Sequence, residues 1–175
     1  KILSHWCAHL KSFSSINWFG GEITSPEETV RRYSVLNLAV KNSTLRTVVC
    51  TCTSSDKSVL LPLLERASRL FHELLSDLSF DFGIYQDEQL ILLVNIDKDN
   101  DIQKLYQSCV SVANILNQQP DEAKPRFFIG IGQSVPSLAY TSASYQTAVL
   151  ALSYHIYEKE DNIYDSSIIC QKEPS

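Results

Sequence analysis

No apolar run in this sequence approaches the roughly 20 residues that a membrane span requires. Leu90–Val94 is as long as any. A signal-peptide pattern is missing too, because His5, His9 and Lys11 interrupt the first helix-like stretch. Positive charge is in deficit: 15 Lys and Arg stand against 20 Asp and Glu, for a net charge of −5 and a pI near 5.3. That balance excludes the basic footprint of a segment that grips nucleic acid by itself. Methionine is absent and the chain begins at Lys1, so the expectation is a piece cut from a longer protein, or a sequence from which modified methionines are missing. No internal repeat, low-complexity linker or second core is visible.

Chemistry-bearing patterns are missing as well. The five cysteines are Cys7, Cys50, Cys52, Cys109 and Cys170, an odd number with no framework spacing. They read as reduced thiols of a cytoplasmic protein. Zinc would need Cys-x-x-Cys pairs or comparable further ligands, and neither is there. His5 and His9 lie one helical turn apart, but Cys7 between them falls on another side of the helix and no third ligand is at hand. Serine is abundant without a Gly-x-Ser-x-Gly elbow, and the four histidines have no triad-like context. Gly20-Gly21 is followed by neither a further glycine nor a Lys-Ser/Thr pair, so it is no phosphate loop. No catalytic, cofactor-binding or metal residue is expected.

What is present suffices for a packed core: 175 residues, 44% apolar and 20% charged. Ile2, Leu3, Trp6, Leu10 and Phe13 form a helical stripe that ends at Gly20-Gly21. Ser25-Pro26-Glu27-Glu28 is a helix start, with Ser25 as cap, Pro26 in the first turn and Glu28 at the capping-box position. This second helix runs to about Asn37. Thr47–Thr53 is β-branched and predicts a strand. Leu60 to Leu78 returns to helical period, with Leu63, Leu64, Ala67, Leu70, Phe71, Leu74 and Leu78 on one face. Phe80–Tyr85 and Gln89–Ile96 predict a hairpin with a polar tip. A helix over Asp101–Gln119, a strand over Arg126–Gly132, a helix over Thr141–Tyr157 and a short strand over Asn162–Tyr164 complete the order. Tyr145, Ala148, Leu152 and Ile156 are the expected buried stripe of the last helix. The pattern predicts an α+β fold of the ferredoxin-like kind, two helices on one face of a mainly antiparallel sheet.

The hairpin, then a strand ending in Ile129-Gly130-Ile131-Gly132, then a helix resembles the GGDEF domain, the nucleotide-cyclase-like fold of diguanylate cyclases. In that family the hairpin tip carries Gly-Gly-Asp-Glu-Phe. Here the tip reads Tyr85-Gln86-Asp87-Glu88-Gln89, with large side chains where the two glycines let a nucleotide approach the backbone. The family's metal-binding Asp at the end of the first strand is replaced by Thr51-Cys52-Thr53-Ser54-Ser55, with no carboxylate before Asp56. Without it a magnesium ion lacks hard oxygen ligands. The inhibitory Arg-x-x-Asp would fall on Ser76 and Ser79 and is also absent. The resemblance therefore implies a degenerate domain rather than an active cyclase, and Asp87 and Glu88 are expected to be solvated turn residues rather than a phosphate or metal site.

Over nearly the whole chain the sequence resembles the degenerate GGDEF-like middle domain of AraC-type bacterial regulators, especially YesN-like response regulators. The matching segments are Trp18-Phe19-Gly20-Gly21-Glu22-Ile23, Pro26–Arg32, Leu36-Asn37-Leu38, Gly130-Ile131-Gly132, then Ser144-Tyr145, Ala148, Ala151-Leu152 and Tyr154, and last Ile163-Tyr164-Asp165. Purine-catabolism and sugar-diacid regulators carry a related domain, so the subfamily stays open. The resemblance implies an N-terminal helical extension over 1–40, a degenerate GGDEF-like domain over 41–170 and a tail over 171–175. It implies a non-catalytic cytoplasmic module that couples an upstream sensor or receiver domain to a downstream helix-turn-helix domain beyond this segment, with a homodimer as a further partner state. The segment itself would touch neither nucleic acid nor membrane and would carry no cofactor. The alternative is an inactive cyclase relative that binds a nucleotide or small molecule as a sensor. Tyr145 and Tyr154 are expected in the core rather than lining a pocket. Arg31-Arg32 is expected on a solvated helix face, and Trp6 and Trp18 on an interaction surface.

Overall fold

The β-branched run around Thr47–Thr53 forms the central strand β1, Leu45–Thr53, which starts earlier than its β-branched letters suggest because Leu45 bonds Val135 in both directions. A computed structural model describes residues 40–85, 88–118, 125–156 and 162–168. The two expected N-terminal helices lie outside the described residues, and with them His5, Cys7, His9, Trp6, Trp18 and Arg31-Arg32. So do Gln86, Asp87 and Cys170.

After β1 come α1 (Leu60–Leu74), β2 (Phe80–Tyr85), β3 (Gln89–Asn95), α2 (Asp99–Asn117), β4 (Arg126–Ile131), α3 (Thr141–Leu152) and β5 (Ile163–Asp165). The sheet order is β2-β3-β1-β4-β5. All neighbours are antiparallel except β4 and β5. Cys50 pairs with Leu90 on one side and Ile129 on the other. The predicted α+β class therefore holds. No helix among the described residues is long and apolar enough to cross a membrane.

α1 and α2 share one face of the sheet, as the sequence suggested for two helices, and α3 lies on the other. Val48, Cys50 and Cys52 of β1 pack with Leu64, Phe71, Leu105 and Val112 of α1 and α2. Val49 faces the other way, into a smaller core with Phe128, Ala148, Ala151, Leu152 and Tyr164. α3 thus covers the second face. The reason is legible in β3, whose Leu90–Val94 are all fully buried. A run without alternation needs cover on both sides.

Local chemistry sets the element ends. Pro62 lies in the first turn of α1, where a missing N–H costs nothing. That helix stops at Leu74, short of Leu78. Its buried stripe is Leu64, Ala67, Ser68 and Phe71, continued by Leu75, while Leu74 is 44% exposed. Leu74 was expected in the stripe; the spacing from Phe71 to Leu75 carries the row past it. α2 begins at Asp99 because the Asp101 carboxylate accepts from the backbone N–H of Asp97 (3.1 Å) and Lys98 (3.0 Å). At its other end Asn117 acts as a surrogate strand partner, donating to the Phe127 carbonyl at 3.1 Å and accepting from its N–H at 2.8 Å.

α3 seats closely on β4. A Cβ at Gly132 would strike the Ser144 carbonyl, and one at Gly130 the Ala148 carbonyl. Ser144 then ties three elements together: its hydroxyl accepts from Thr47 N–H at 2.8 Å and donates to the Gln133 carbonyl at 2.7 Å. α3 gives way at Ser153 to a 3-10 turn over Ser153–Ile156, so it ends before the expected Tyr157. Its buried residues are Thr141, Ser144, Ala148, Ala151 and Leu152. Tyr145, expected in that row, is half-buried. β5 falls one position later than predicted because Asp165, not Asn162, pairs in the ladder, opposite Ile131.

Candidate functional site: a tip held by neighbouring strands and helix

The β2–β3 hairpin closes with Tyr85 paired to Gln89, so its tip lies over the C-terminal end of β1. Three elements meet there. Thr51 of β1 donates its hydroxyl to the Glu88 carbonyl at 3.2 Å. Tyr145 of α3 donates its hydroxyl to Gln89 Oε1 at 2.9 Å. Thr51 can do this because it stands on the α3 side of β1, two residues on from Val49. Of the tip residues read from the sequence, Tyr85 ends β2, Gln86 and Asp87 lie outside the described residues, Glu88 is exposed and Gln89 is half-buried.

The acid nearest the end of β1 is turned to a local task. Asp56 accepts from the Ser58 N–H at 3.0 Å and from its hydroxyl at 2.7 Å, capping the 3-10 turn Lys57–Val59. The Ser58 hydrogen bonds hold its carboxyl below the usual range. Both Asp56 oxygens remain near solvent, but Ser54, Ser55, Thr53 and Thr51 around it are neutral. Among the described residues no three His, Cys, Asp or Glu side chains converge in a way that would hold a metal ion.

The profile of the GGDEF-like domain matches residues 20–154. This chain belongs to that family.

Two solved structures are similar to it. The active GGEEF domain of a diguanylate cyclase from Vibrio cholerae has 13% identity and a TM-score of 0.51, covering 79% of this chain and 90% of that one. The coiled coil and GGDEF domain of DgcB from Caulobacter crescentus, in complex with c-di-GMP, has 7% identity and a TM-score of 0.49, covering 79% and 75%. At such identity the first likeness speaks for the fold alone. No curated protein matches the sequence.

Within this GGDEF-like domain the three described cysteines, Cys50, Cys52 and Cys109, are buried free thiols. Cys50 and Cys52 point to one side of β1, as their spacing predicted, into the core beside Cys109. Burial pushes the Cys52 thiol up to about 11 and raises those of Cys50 and Cys109 as well. Sequence reasoning missed the contacts of Thr51 and Tyr145, since neither residue type announces a partner so distant in the chain. It also missed a buried ion pair between Arg46 and Asp165, at 2.7 Å. A signal for that one existed: Arg46 is a lone charge in an otherwise apolar or hydroxylic strand, LRTVVCTCT.

Proposed function

We propose that this GGDEF-like domain is a non-catalytic regulatory module of a bacterial AraC-type regulator. It would lie in the cytoplasm between an upstream sensor or receiver domain and a downstream helix-turn-helix domain, with residues 1–40 as a helical extension, 41–170 as the domain proper and 171–175 as a tail. The observation that carries this reading is what occupies the tip. Neutral Thr51 and Thr53 end β1 where a cyclase needs a carboxylate, and Thr51 and Tyr145 already engage Glu88 and Gln89. Phosphoryl transfer between two nucleotides needs a divalent ion held by hard oxygen ligands, and among the described tip residues exposed Glu88 beside neutral hydroxyls is a poor set. A domain that no longer turns over substrate can still transmit a signal, provided a partner or ligand binds one arrangement of its neighbours more tightly than another.

The direct test incubates the 175-residue chain with GTP and Mg²⁺ and measures cyclic dinucleotide against an Asp87→Ala/Glu88→Ala double variant. No product above that control is expected, and product above it would overturn the reading. Calorimetric titration with GTP, GDP and cyclic dinucleotides then separates a pure transmission module from a ligand sensor. Silence at tens of micromolar favours transmission. In the parent reading frame, about a hundred further residues with two helix-turn-helix patterns are expected downstream.

A further inference from the structure

β5 is a three-residue edge strand, parallel to β4 and paired with no other strand among the described residues. A parallel ladder this short supplies few backbone bonds, so other contacts must hold it. Its three side chains do so, on opposite faces, Ile163 packing against the α1–α2 core. Tyr164 is buried in the α3-side core. Asp165 turns toward α2 and meets Arg46, the second residue of β1, reaching beneath the end of β4.

The guanidinium ties β1 to the residue that follows β4 and to β5. Arg46 Nε donates to the Gly132 carbonyl at 2.6 Å, one terminal nitrogen donates to Asp165 Oδ1 at 2.7 Å and the other to Oδ2 at 3.4 Å. Asp165 Oδ1 also accepts from the Ser167 N–H at 2.9 Å and hydroxyl at 2.7 Å, so the same carboxylate shapes the turn by which the chain leaves the sheet. The chain arrives at this same end. Val40 N–H donates to Asp81 at 2.8 Å and Lys41 N–H to Asn95 at 2.7 Å, both beside the start of β1 and remote from the hairpin tip.

Arg46 is 5% exposed and Asp165 8%. Removing either partner strands a buried charge, which costs far more than losing the bond itself. Since β5 has so short a ladder, undocking it is the least costly way to return that charge to water. The rest of the sheet need not open.

We propose that Arg46–Asp165 is a latch, and that residues 163–168 dock and undock as a unit whose balance this pair sets. The inference rests on the fold and goes beyond the regulator reading; it stands whether or not that reading does. It makes the start of β1 and the departing chain communicate through one guanidinium, because displacing Arg46 at the arriving end releases Asp165 at the leaving end.

Native-state amide hydrogen exchange on the 175-residue chain tests it. Asp165→Asn and Arg46→Met are expected to speed exchange at Tyr164–Ser167 by about tenfold or more, as befits a lost buried charge-assisted bond. In the parent, exchange at Tyr164–Ser167 should rise only weakly with added urea, while exchange at Leu90–Val94 follows the full slope of global unfolding. A full global slope at Tyr164–Ser167 would make the pair a general stability element and overturn the latch. No acceleration at Tyr164–Ser167 in the variants would overturn it as well. Should either variant fail to fold, Ser167→Ala, which keeps the ion pair and removes only one donor to the carboxylate, must still show a smaller rise at the same amides. Its absence would refute the proposal.

Discussion

Replacing Gly132 by alanine probes the close seat of α3 on the end of β4. Two effects oppose. Adding a methyl group stiffens the unfolded chain, which by itself stabilises by roughly 0.4–1 kcal/mol. In the folded state the new Cβ would collide with the Ser144 carbonyl and lie 2.9 Å from its hydroxyl oxygen. Relief requires α3 to lift from β4, and Ser144 resists this through its buried bonds to Thr47 and Gln133. Gly132 in turn cannot retreat, because its N–H donates to the Thr47 carbonyl at 2.8 Å and its own carbonyl accepts from Arg46. Overpacking at a site pinned from both sides costs about 1–3 kcal/mol or somewhat more, which exceeds the unfolded-state gain. Urea denaturation should therefore show a lower midpoint with an unchanged slope. The same reasoning demands a coupling. Ser144→Ala alone costs about 1–3 kcal/mol by leaving the buried Thr47 N–H without its acceptor. Because it also frees α3, the double variant should be less destabilised than the sum of the singles, by an interaction energy on the order of 0.5 kcal/mol or more. A Gly132→Ala protein at or above parental stability would refute the clash. Strict additivity would refute the view that Ser144 is what holds α3 in place.

Two further outcomes follow from the same packing. Burial pushes the Asp165 carboxyl upward, but the Arg46 and Ser167 hydrogen bonds outweigh it and hold it below the ordinary carboxylate range. A carboxyl depressed in the folded state contributes stability that is fully present above its unfolded value of about 3.9 and is lost as pH falls through the lower folded value. Denaturation midpoints taken from pH 7 down to pH 2 should fall less steeply below pH 4 for Asp165→Asn than for the parent, and parallel curves would count against this assignment. On α1, Leu75→Ala should cost about 2–5 kcal/mol as a core truncation. Leu74→Ala should stay within about 0.5 kcal/mol, being half-exposed. Thermal melts that rank the two the other way would reverse the face assigned to the end of that helix.

Element order and class were legible in the chain because they rest on local signals. β-branched Thr47–Thr53, the turn between Tyr85 and Gln89 and the helical spacing of Leu64, Ala67 and Phe71 each act within a few residues. Even the close seat of α3 was hinted at by Gly130 and Gly132. Helix ends were less legible, since the Asp101 carboxylate and the shift from Leu74 to Leu75 are settled by capping and packing rather than by period.

What the sequence alone determined, then, is a five-stranded α+β domain whose hairpin tip reads Tyr85-Gln86-Asp87-Glu88-Gln89, because residue types are facts of the chain. Only the tertiary structure decided that α3 covers the second face of the sheet, that Thr51 and Tyr145 hold the tip, and that Arg46 reaches Asp165. Each of these joins residues tens of positions apart or more. No local propensity specifies such pairings; they arise when two faces of one sheet must be buried and every polar group caught inside must find a partner.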